Sequence, residues 1–177
     1  PSSLPGITID EKHIVSSTGA LSLNKCPKKL VVIGAGYIGL ELGTVWARLG
    51  TTVEVIEFLP RILPGMDDEI AKKFMAIAKK QGLSFRLSTA VKQAKSSKTG
   101  VSLTVEPADG GKAETVTADI ALVSVGRHPA TDGLGLDAAG IALTERGCIA
   151  VDSRFETSLD DVYAIGDVIE GPMLAHK

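Results

Sequence analysis

One short run constrains the fold of this chain more than any other: four apolar residues lead directly into a cluster of three glycines. The apolar run is residues 30–33, Leu-Val-Val-Ile, and three of these four residues are β-branched. Such a run is typical of a buried strand, and a helical pattern follows the glycines. Strand, tight turn and helix start therefore occur in the order that a dinucleotide-binding site requires.

Each of the three glycines has a distinct role in such a turn. Gly34 allows the chain to turn sharply off the strand, and Gly36, which has no Cβ, allows a pyrophosphate to approach the backbone. Gly39 allows the helix to pack closely on the strand. The N–H groups of the first helical turn then face the phosphates. The alternative interpretation is a glycine-rich strand-to-helix turn that binds no ligand.

A second predicted strand supplies the carboxylate that accompanies this turn. Residues 52–56 have a strand pattern, and Glu57 follows them about 20 positions after the first glycine. A carboxylate here is expected to bind the adenosine ribose hydroxyls. It also repels the 2′-phosphate of NADP, because two like charges about 4 Å apart cost about 4 kcal/mol near a protein surface. Arg61 follows nearby and could reduce this repulsion, so the sequence favours NAD without excluding NADP.

Two amphipathic helices are predicted beside these strands. The first runs from Tyr37 to Leu49, and the second begins after Asp67 or Asp68 and ends near Gln81. In each helix we expect one apolar stripe to face the core. The stripe residues are Ile38, Leu42, Val45 and Leu49 in the first helix, and Ile70, Phe74 and Ile77 in the second.

After the second helix the pattern changes from helical to extended. Short segments at 90–94, 101–106 and 113–118, with a hairpin signal at 109–111, predict an antiparallel β-meander where a crossover helix would usually stand. The apolar run 119–125 then returns to the central sheet. The predicted fold class is α/β: a Rossmann-like, three-layer β/β/α domain with a parallel central sheet and an antiparallel β-meander crossover.

Two later segments place candidate ligand groups at strand ends. Gly126 follows the returning strand, and ligands in open α/β sheets bind at the carboxyl ends of strands; the alternative is a simple strand exit. Residues 162–165 have a short strand pattern that leads to Asp167. This carboxylate either accepts hydrogen bonds from polyol hydroxyls or caps a helix start. We interpret His128 as a loop histidine without a metal or catalytic role.

Composition and charge argue against several classes of function. The net charge is −2 and the pI about 5.9, with no basic patch for nucleic acid. No apolar run approaches the ~18 residues of a membrane span, and no signal peptide is evident. Cys26 and Cys148 lack redox-pair spacing, and no Cys/His cluster has metal spacing, so we expect free thiols and no metal site. Because the chain begins at Pro1 and has no evident closing signal, we expect a segment of a longer protein.

Four ordered motifs resemble those of the FAD-dependent pyridine nucleotide disulfide oxidoreductases. They are the run Gly34-Ala35-Gly36-Tyr37-Ile38-Gly39-Leu40-Glu41-Leu42-Gly43, then Val55-Ile56-Glu57, then Gly126-Arg127-His128-Pro129, then Thr157 with Ala164-Ile165-Gly166-Asp167. The closing run 166–177, with residues 17–21 and 41–46, is similar to the dihydrolipoamide dehydrogenase branch of that family. The resemblance covers essentially the whole chain. It implies a lead-in from an FAD domain at 1–28, an NAD-binding domain at 29–150 and a returning FAD-domain segment at 151–177.

The resemblance also implies an activity and a set of binding residues. Such an enzyme oxidises dihydrolipoamide through FAD and a disulfide and reduces NAD+ to NADH. Glu57 then binds the adenosine ribose, Val91 flanks the adenine and Gly126 borders the nicotinamide. The NAD pyrophosphate and nicotinamide lie along Gly34, Ala35, Gly36, Tyr37, Ile38, Gly39, Leu40 and Glu41. The implied FAD contacts are Asp167, Met173, Leu174, Ala175 and His176. Tyr37 is either a lid over the flavin or a helix-packing residue.

The family's catalytic groups are not matched in this chain. Its redox-active cysteine pair belongs to an N-terminal FAD domain and its catalytic His–Glu pair to a C-terminal dimerisation domain; neither Cys26 nor Cys148 matches the pair. We therefore expect this chain to bind nucleotide without turnover, and we expect FAD to bind only in the intact parent protein. The resemblance implies that this parent is a homodimer that docks on 2-oxo-acid dehydrogenase complexes. The implied compartment is the mitochondrial matrix in a eukaryote and the cytoplasm in a bacterium. The alternatives are an NADP-linked disulfide reductase of the same family and a nucleotide-binding module without redox chemistry.

Overall fold

The computed structural model describes residues 1–174, which form two compact units. The first unit is Pro1–Gly126, and the second begins at Arg127. The strands of the first unit are β1 (Ile14–Val15), β2 (Lys29–Ile33), β3 (Thr52–Ile56), β4 (Leu83–Arg86), β5 (Thr89–Ser97), β6 (Gly100–Pro107), β7 (Glu114–Ala118) and β8 (Ile120–Val123). Its helices are α1 (Ser17–Leu21), α2 (Tyr37–Arg48) and α3 (Asp68–Lys80). The second unit contains the short helix α4 (Leu136–Ala139) and a 3-10 turn, Gly166–Val168.

A five-stranded parallel sheet lies at the centre of the first unit. The strand order is β1-β8-β2-β3-β4, so β2 lies in the middle. Its last residue, Ile33, lies opposite Ile56 on one side and Val123 on the other. The apolar run 30–33 is buried because both faces of the sheet are covered. This register brings the residues that follow β2, β3 and β8 to one edge of the sheet.

The predicted meander is present and covers one face of this sheet. Strands β5, β6 and β7 are antiparallel in that order, with a bulge between Val91 and Gln93. Meander residues such as Leu103 and Val105 pack with Val31 and Ile33 of β2 in one hydrophobic cluster. A second cluster joins the opposite face of the sheet to α2 and α3. The three-layer β/β/α fold class predicted from the sequence is therefore confirmed.

Helix α2 forms where it is predicted, but its predicted apolar stripe is only partly correct: Leu42 packs against the core, whereas two other stripe residues do not. Val45 and Leu49 are 50% and 56% exposed. The buried residues of α2 are Gly39, Leu40, Gly43 and Trp46. The two glycines allow the helix backbone to lie close to the strands, while Leu40 and Trp46 pack in the core. The buried face therefore combines glycines with large apolar residues, and a count of large apolar residues alone does not identify it.

Helix α3 departs from its prediction in the same way. Ala71 and Ala78 are buried, whereas Ile70 and Ile77 are 51% and 53% exposed. Phe74 of the predicted stripe is partly buried and packs against the core, so the packed face of α3 combines it with the two alanines. The predicted helix start is confirmed, since the Asp67 carboxylate accepts hydrogen bonds from the backbone N–H groups of the first turn.

One short strand predicted outside the central region, at residues 162–165, is wrong. Before β2 the structure has an isolated bridge between Leu4 and Ile7 and the short strand β1, which pairs with β8. Residues 1–28 thus contribute an edge strand to the sheet. At residues 162–165 there is only an isolated bridge between Glu156 and Tyr163. The second unit holds its own small core of Ile149, Ala164 and Ile169.

Candidate nucleotide-binding site

The glycine turn lies where β2, β3 and β8 end, and its neighbours on both sides determine its conformation. Gly34 has a φ of +100°, a region that favours glycine. A Cβ at this residue would lie 2.6 Å from the carbonyl oxygen of Ser124, which follows β8. On the other side, the Gly34 N–H donates to the carbonyl oxygen of Ile56 at 2.9 Å. Only glycine fits this position.

Ser124 stabilises the turn, although the glycine motif does not predict this role. Its hydroxyl lies 3.0 Å from the carbonyl oxygen of Ile33 and 3.2 Å from that of Gly34. These carbonyls belong to the last strand residue and the first turn residue. The only sequence signal was a polar residue near the end of the apolar run 119–125, and nothing local relates that residue to β2.

Gly36 is the N-cap of α2, and the space beside its Cα, at the start of the helix, is open. Its φ is −81°, which any residue can adopt, so backbone conformation does not demand a glycine here. A Cβ on Gly36 would meet no atom of another residue within 4 Å. The Leu40 N–H donates to the Gly36 carbonyl at 3.1 Å, which starts the helical ladder. The N–H groups of Tyr37, Ile38 and Gly39 precede that ladder and point out of the helix start.

Gly39 has the opposite surroundings. A Cβ there would lie 2.5 Å from the Ser124 hydroxyl oxygen and 2.9 Å from a methyl carbon of Val32, and it would also meet the carbonyl oxygen of Gly34. The structure thus places the three glycines of the motif in three different environments: a left-handed turn, an open mouth and a close helix–strand contact.

Glu57 lies at the mouth of the turn with its carboxylate directed towards the glycines. Its Oε2 accepts the backbone N–H of Ala35 at 2.7 Å, and its Oε1 accepts that of Leu59 at 2.9 Å. The residue is only 8% exposed. Each oxygen therefore has one backbone donor and retains capacity to accept another hydrogen bond.

The segment 58–66 forms a loop tied to the same turn. The Leu63 N–H donates to the Ala35 carbonyl at 2.9 Å, and the Ser88 N–H donates to the Leu59 carbonyl at 3.0 Å. Ile62 is buried beneath the loop. Two prolines and a glycine in this segment are typical of a loop. Its attachment to the glycine turn depends on contacts between residues distant in sequence, which no local pattern predicts.

The remaining predicted residues of the first unit differ in exposure and in the element on which they lie. Tyr37 is 38% exposed at the helix start, and Glu41 is exposed on the same helix. Leu40 is 2% exposed within the core, so its side chain faces away from the turn. Val91 lies in the meander and packs against the cluster beneath it. Gly126, with a φ of +131°, lies two residues beyond Ser124 and accepts the Ser2 N–H at 2.9 Å.

The predicted flavin contacts lie in the second unit. Asp167 lies in the 3-10 turn and forms an ion pair with Arg127 at 3.2 Å, and both side chains are about half exposed. Met173 and Leu174 are partly buried. The predicted contacts Ala175 and His176 lie outside the described residues. A cavity of about 410 Å³ in this unit is lined by Arg127, His128, Pro129, Arg146, Cys148, Ile169, Glu170, Gly171 and Met173.

The chemistry of the first-unit site is that of binding. It offers backbone donors at a helix start, an open approach over Gly36 and one carboxylate. Among residues 1–174, no group of three or more His, Cys, Asp or Glu side chains is arranged to hold a metal ion. Cys26 is exposed and Cys148 is buried, and both are free thiols. No helix within the described part of the chain has the length and apolarity needed to cross a membrane.

Comparison with known proteins gives one consistent family. The family described as pyridine nucleotide-disulphide oxidoreductase matches residues 1–177. Mitochondrial dihydrolipoyl dehydrogenase of Pisum sativum is 58% identical over 175 residues, which cover 99% of this chain and 35% of that protein. Leghemoglobin reductase of Glycine max is also 58% identical, with coverage of 99% and 34%.

Solved structures agree with the sequence relatives. The HOCl-induced flavoprotein disulfide reductase RclA of Escherichia coli aligns with a TM-score of 0.86 at 33% identity, covering 99% of this chain and 39% of that one. The chain thus spans about a third of the length of the curated relatives it matches. With the glycine turn, the meander and the family match over its whole length, this chain belongs to the pyridine nucleotide-disulphide oxidoreductase family.

Proposed function

We propose that the glycine turn and Glu57 bind NAD(H), and that the chain is the NAD-binding part of an oxidoreductase of the dihydrolipoyl dehydrogenase type. The observation that carries the proposal is the pairing of an open approach over Gly36 with a carboxylate held at the same turn.

The proposed contacts follow from the donors and acceptors present. Two linked phosphates would lie over Gly36 and accept hydrogen bonds from the N–H groups at the start of α2, where the helix dipole favours negative charge. The Glu57 oxygens would each accept a second hydrogen bond from a ribose hydroxyl. The carboxylate would repel a 2′-phosphate, so we expect NAD to bind in preference to NADP.

The redox chemistry belongs to the whole protein and is part of the proposal. The pea relative is named a dihydrolipoyl dehydrogenase; by analogy, the intact parent would oxidise dihydrolipoamide with a disulfide and FAD and pass the electrons to NAD+. FAD would supply the two-electron carrier between the disulfide and the nicotinamide. From this chain, Asp167 is suited to accept hydrogen bonds from FAD hydroxyls, since its carboxylate is 41% exposed beside Arg127. Met173 and Leu174 would contact FAD through their partly buried side chains.

The wider assembly is proposed on the same analogy. The parent would be a homodimer that docks on 2-oxo-acid dehydrogenase complexes, and the pea relative's name supports a mitochondrial location. This chain alone would bind nucleotide without turnover, because Cys26 and Cys148 lie far apart in sequence and lack the spacing of a redox pair.

A pair of glycine variants tests the binding proposal. In Gly36→Val, the added Cβ has no atom within 4 Å beyond its chain neighbours, so we expect the fold to persist while the phosphate approach is blocked. We expect isothermal titration with NAD+ to show at least about a tenfold loss of affinity, the size of a lost charge-assisted hydrogen bond. Gly43→Ala on the same helix is the matched control, since its Cβ would make ordinary contacts at 3.5–3.6 Å. Equal NAD+ affinity in a folded Gly36→Val variant and in the control would overturn the proposal.

A further inference from the structure

Arg61 lies where it could reach the ribose end of the proposed nucleotide. The loop is fixed to the site on either side of it: Leu59 donates to the Glu57 carboxylate, and Leu63 donates to the Ala35 carbonyl. Arg61 is two residues from each tie point, so its Cα lies within about 8 Å of both. An arginine side chain at that position can reach a group bound by Glu57.

The structure directs this guanidinium elsewhere. One terminal nitrogen of Arg61 forms a hydrogen-bonded ion pair with the Asp68 carboxylate, and the other donates to the Met66 carbonyl at 2.6 Å. The Arg61 Nε is buried and has no hydrogen-bond partner within the described residues. The cation is thus turned towards the start of α3 and is neutralised there.

We infer that Asp68 is a specificity-determining residue that acts through Arg61. By pairing with Arg61, Asp68 keeps a nearby cation away from the ribose 2′ position, where that cation could offset the charge of Glu57. NADP discrimination would therefore have two parts, repulsion by Glu57 and sequestration of Arg61. The inference rests on the proposed function, because it names the determinant of cofactor choice at that same site.

The neighbouring residue offers a matched control. Asp68 and Glu69 are consecutive acids in the first turn of α3, and their side chains are 68% and 74% exposed. Replacing either by alanine removes one negative charge near the same helix start. Glu69 pairs with Lys73 and not with Arg61, so only the change at Asp68 releases the guanidinium.

The experiment measures the dissociation constants of NAD+ and NADP+ for the 177-residue chain and its variants at low ionic strength. In Asp68→Ala, the ratio of the NADP+ constant to the NAD+ constant should fall about fivefold, the scale of a solvent-exposed ion pair. In Glu69→Ala it should stay within about twofold of the parent ratio. The double variant Arg61→Gln/Asp68→Ala should return to the parent ratio, and added salt should reduce the gain.

The possible results distinguish failure of the inference about Asp68 from failure of the proposed function. If the parent chain binds NAD+ but Asp68→Ala and Glu69→Ala give the same ratio, the inference about Asp68 fails and the proposed function stands. A gain that persists in the double variant also overturns the inference, because Arg61 would not be its cause. If the parent chain binds neither nucleotide, both proposals fail together.

Discussion

Gly39 and Gly43 lie one helical turn apart on α2, yet an added methyl group would meet different surroundings at each. At Gly39 it would contact Ser124 at 2.5 Å and Val32 at 2.9 Å; at Gly43 its nearest neighbours lie at 3.5–3.6 Å. We expect Gly39→Ala to lower the free energy of unfolding by about 1–3 kcal/mol, as overpacking does. Gly43→Ala should be neutral or raise it by up to about 1 kcal/mol, because alanine favours helix.

Urea unfolding followed by circular dichroism measures both effects. If Gly39→Ala were as stable as Gly43→Ala, the close helix–strand contact would not exist in solution, and the packing of α2 on β2 would need revision.

At this same scale, the sequence predicted the glycines of the turn and the position of Glu57, since their spacing is local. Ser124 and Leu63 were missed. Each acts on the turn from a segment far along the chain or through a loop whose path depends on tertiary contacts. Residue roles that depend on such contacts cannot be predicted from a local sequence pattern.

Among the secondary-structure elements, β4 is tied to two neighbours by one side chain. Arg86 pairs with Glu54 of β3 at 3.1 Å and with Glu114 of β7 at 2.8 Å, so it links the parallel sheet to the meander. The hydrogen bond that Arg86 donates to Glu114, with the charge of Glu54, raises the pKa of the Arg86 guanidinium despite partial burial. We expect Arg86→Gln to lower the free energy of unfolding by about 1 kcal/mol, since the side chain is partly exposed.

Unfolding measurements at low and high salt distinguish the loss of these ion pairs from a general effect of removing a positive charge. The difference between Arg86→Gln and the parent should shrink in high salt, and Lys73→Gln, which breaks only an exposed pair within α3, should cost a few tenths of a kcal/mol. Equal costs for the two variants in urea unfolding would contradict a linking role for Arg86.

The elements themselves were largely predictable, whereas the faces they bury were not. The strands of the meander and the starts of α2 and α3 follow from alternation, turns and caps. The buried face of α2 includes two glycines and that of α3 two alanines, and a count of large apolar residues ignores these positions. The short strand expected at 162–165 had the composition of a strand but has no continuous neighbouring strand to pair with in the described structure.

For the whole molecule, the first unit contains everything that the proposed site requires. Both hydrophobic clusters that flank the parallel sheet are built from residues of Pro1–Gly126, and so are the glycine turn, Glu57 and the loop 58–66. The resemblance implied an NAD-binding domain at 29–150, and it did not indicate that β1, which precedes residue 29, is the edge strand of the parallel sheet. A two-residue strand has too little pattern to be recognised from the sequence.

Acid stability of the whole chain should depend on the turn that leads into β1. The Asp10 carboxylate accepts the backbone N–H groups of Lys12, His13 and Ile14 at 2.8–2.9 Å. Burial raises the pKa of Asp10, but these hydrogen bonds outweigh it and lower the pKa from 3.8 to about 2. Because the folded-state value lies below the unfolded one, the charge stabilises the fold fully above pH 3.8, and this contribution is lost as the pH falls through about 2.

The variant Asp10→Asn isolates that contribution, since asparagine keeps an acceptor oxygen and loses the charge. We expect the variant to be less stable than the parent by a constant amount at pH 5 and above, with the difference shrinking between pH 4 and pH 2. Asp109→Asn, in the exposed turn between β6 and β7, should show no such convergence. Urea unfolding at each pH gives the three curves, and a parent–variant difference that does not change between pH 5 and pH 2 would mean that the Asp10 charge does not hold this turn.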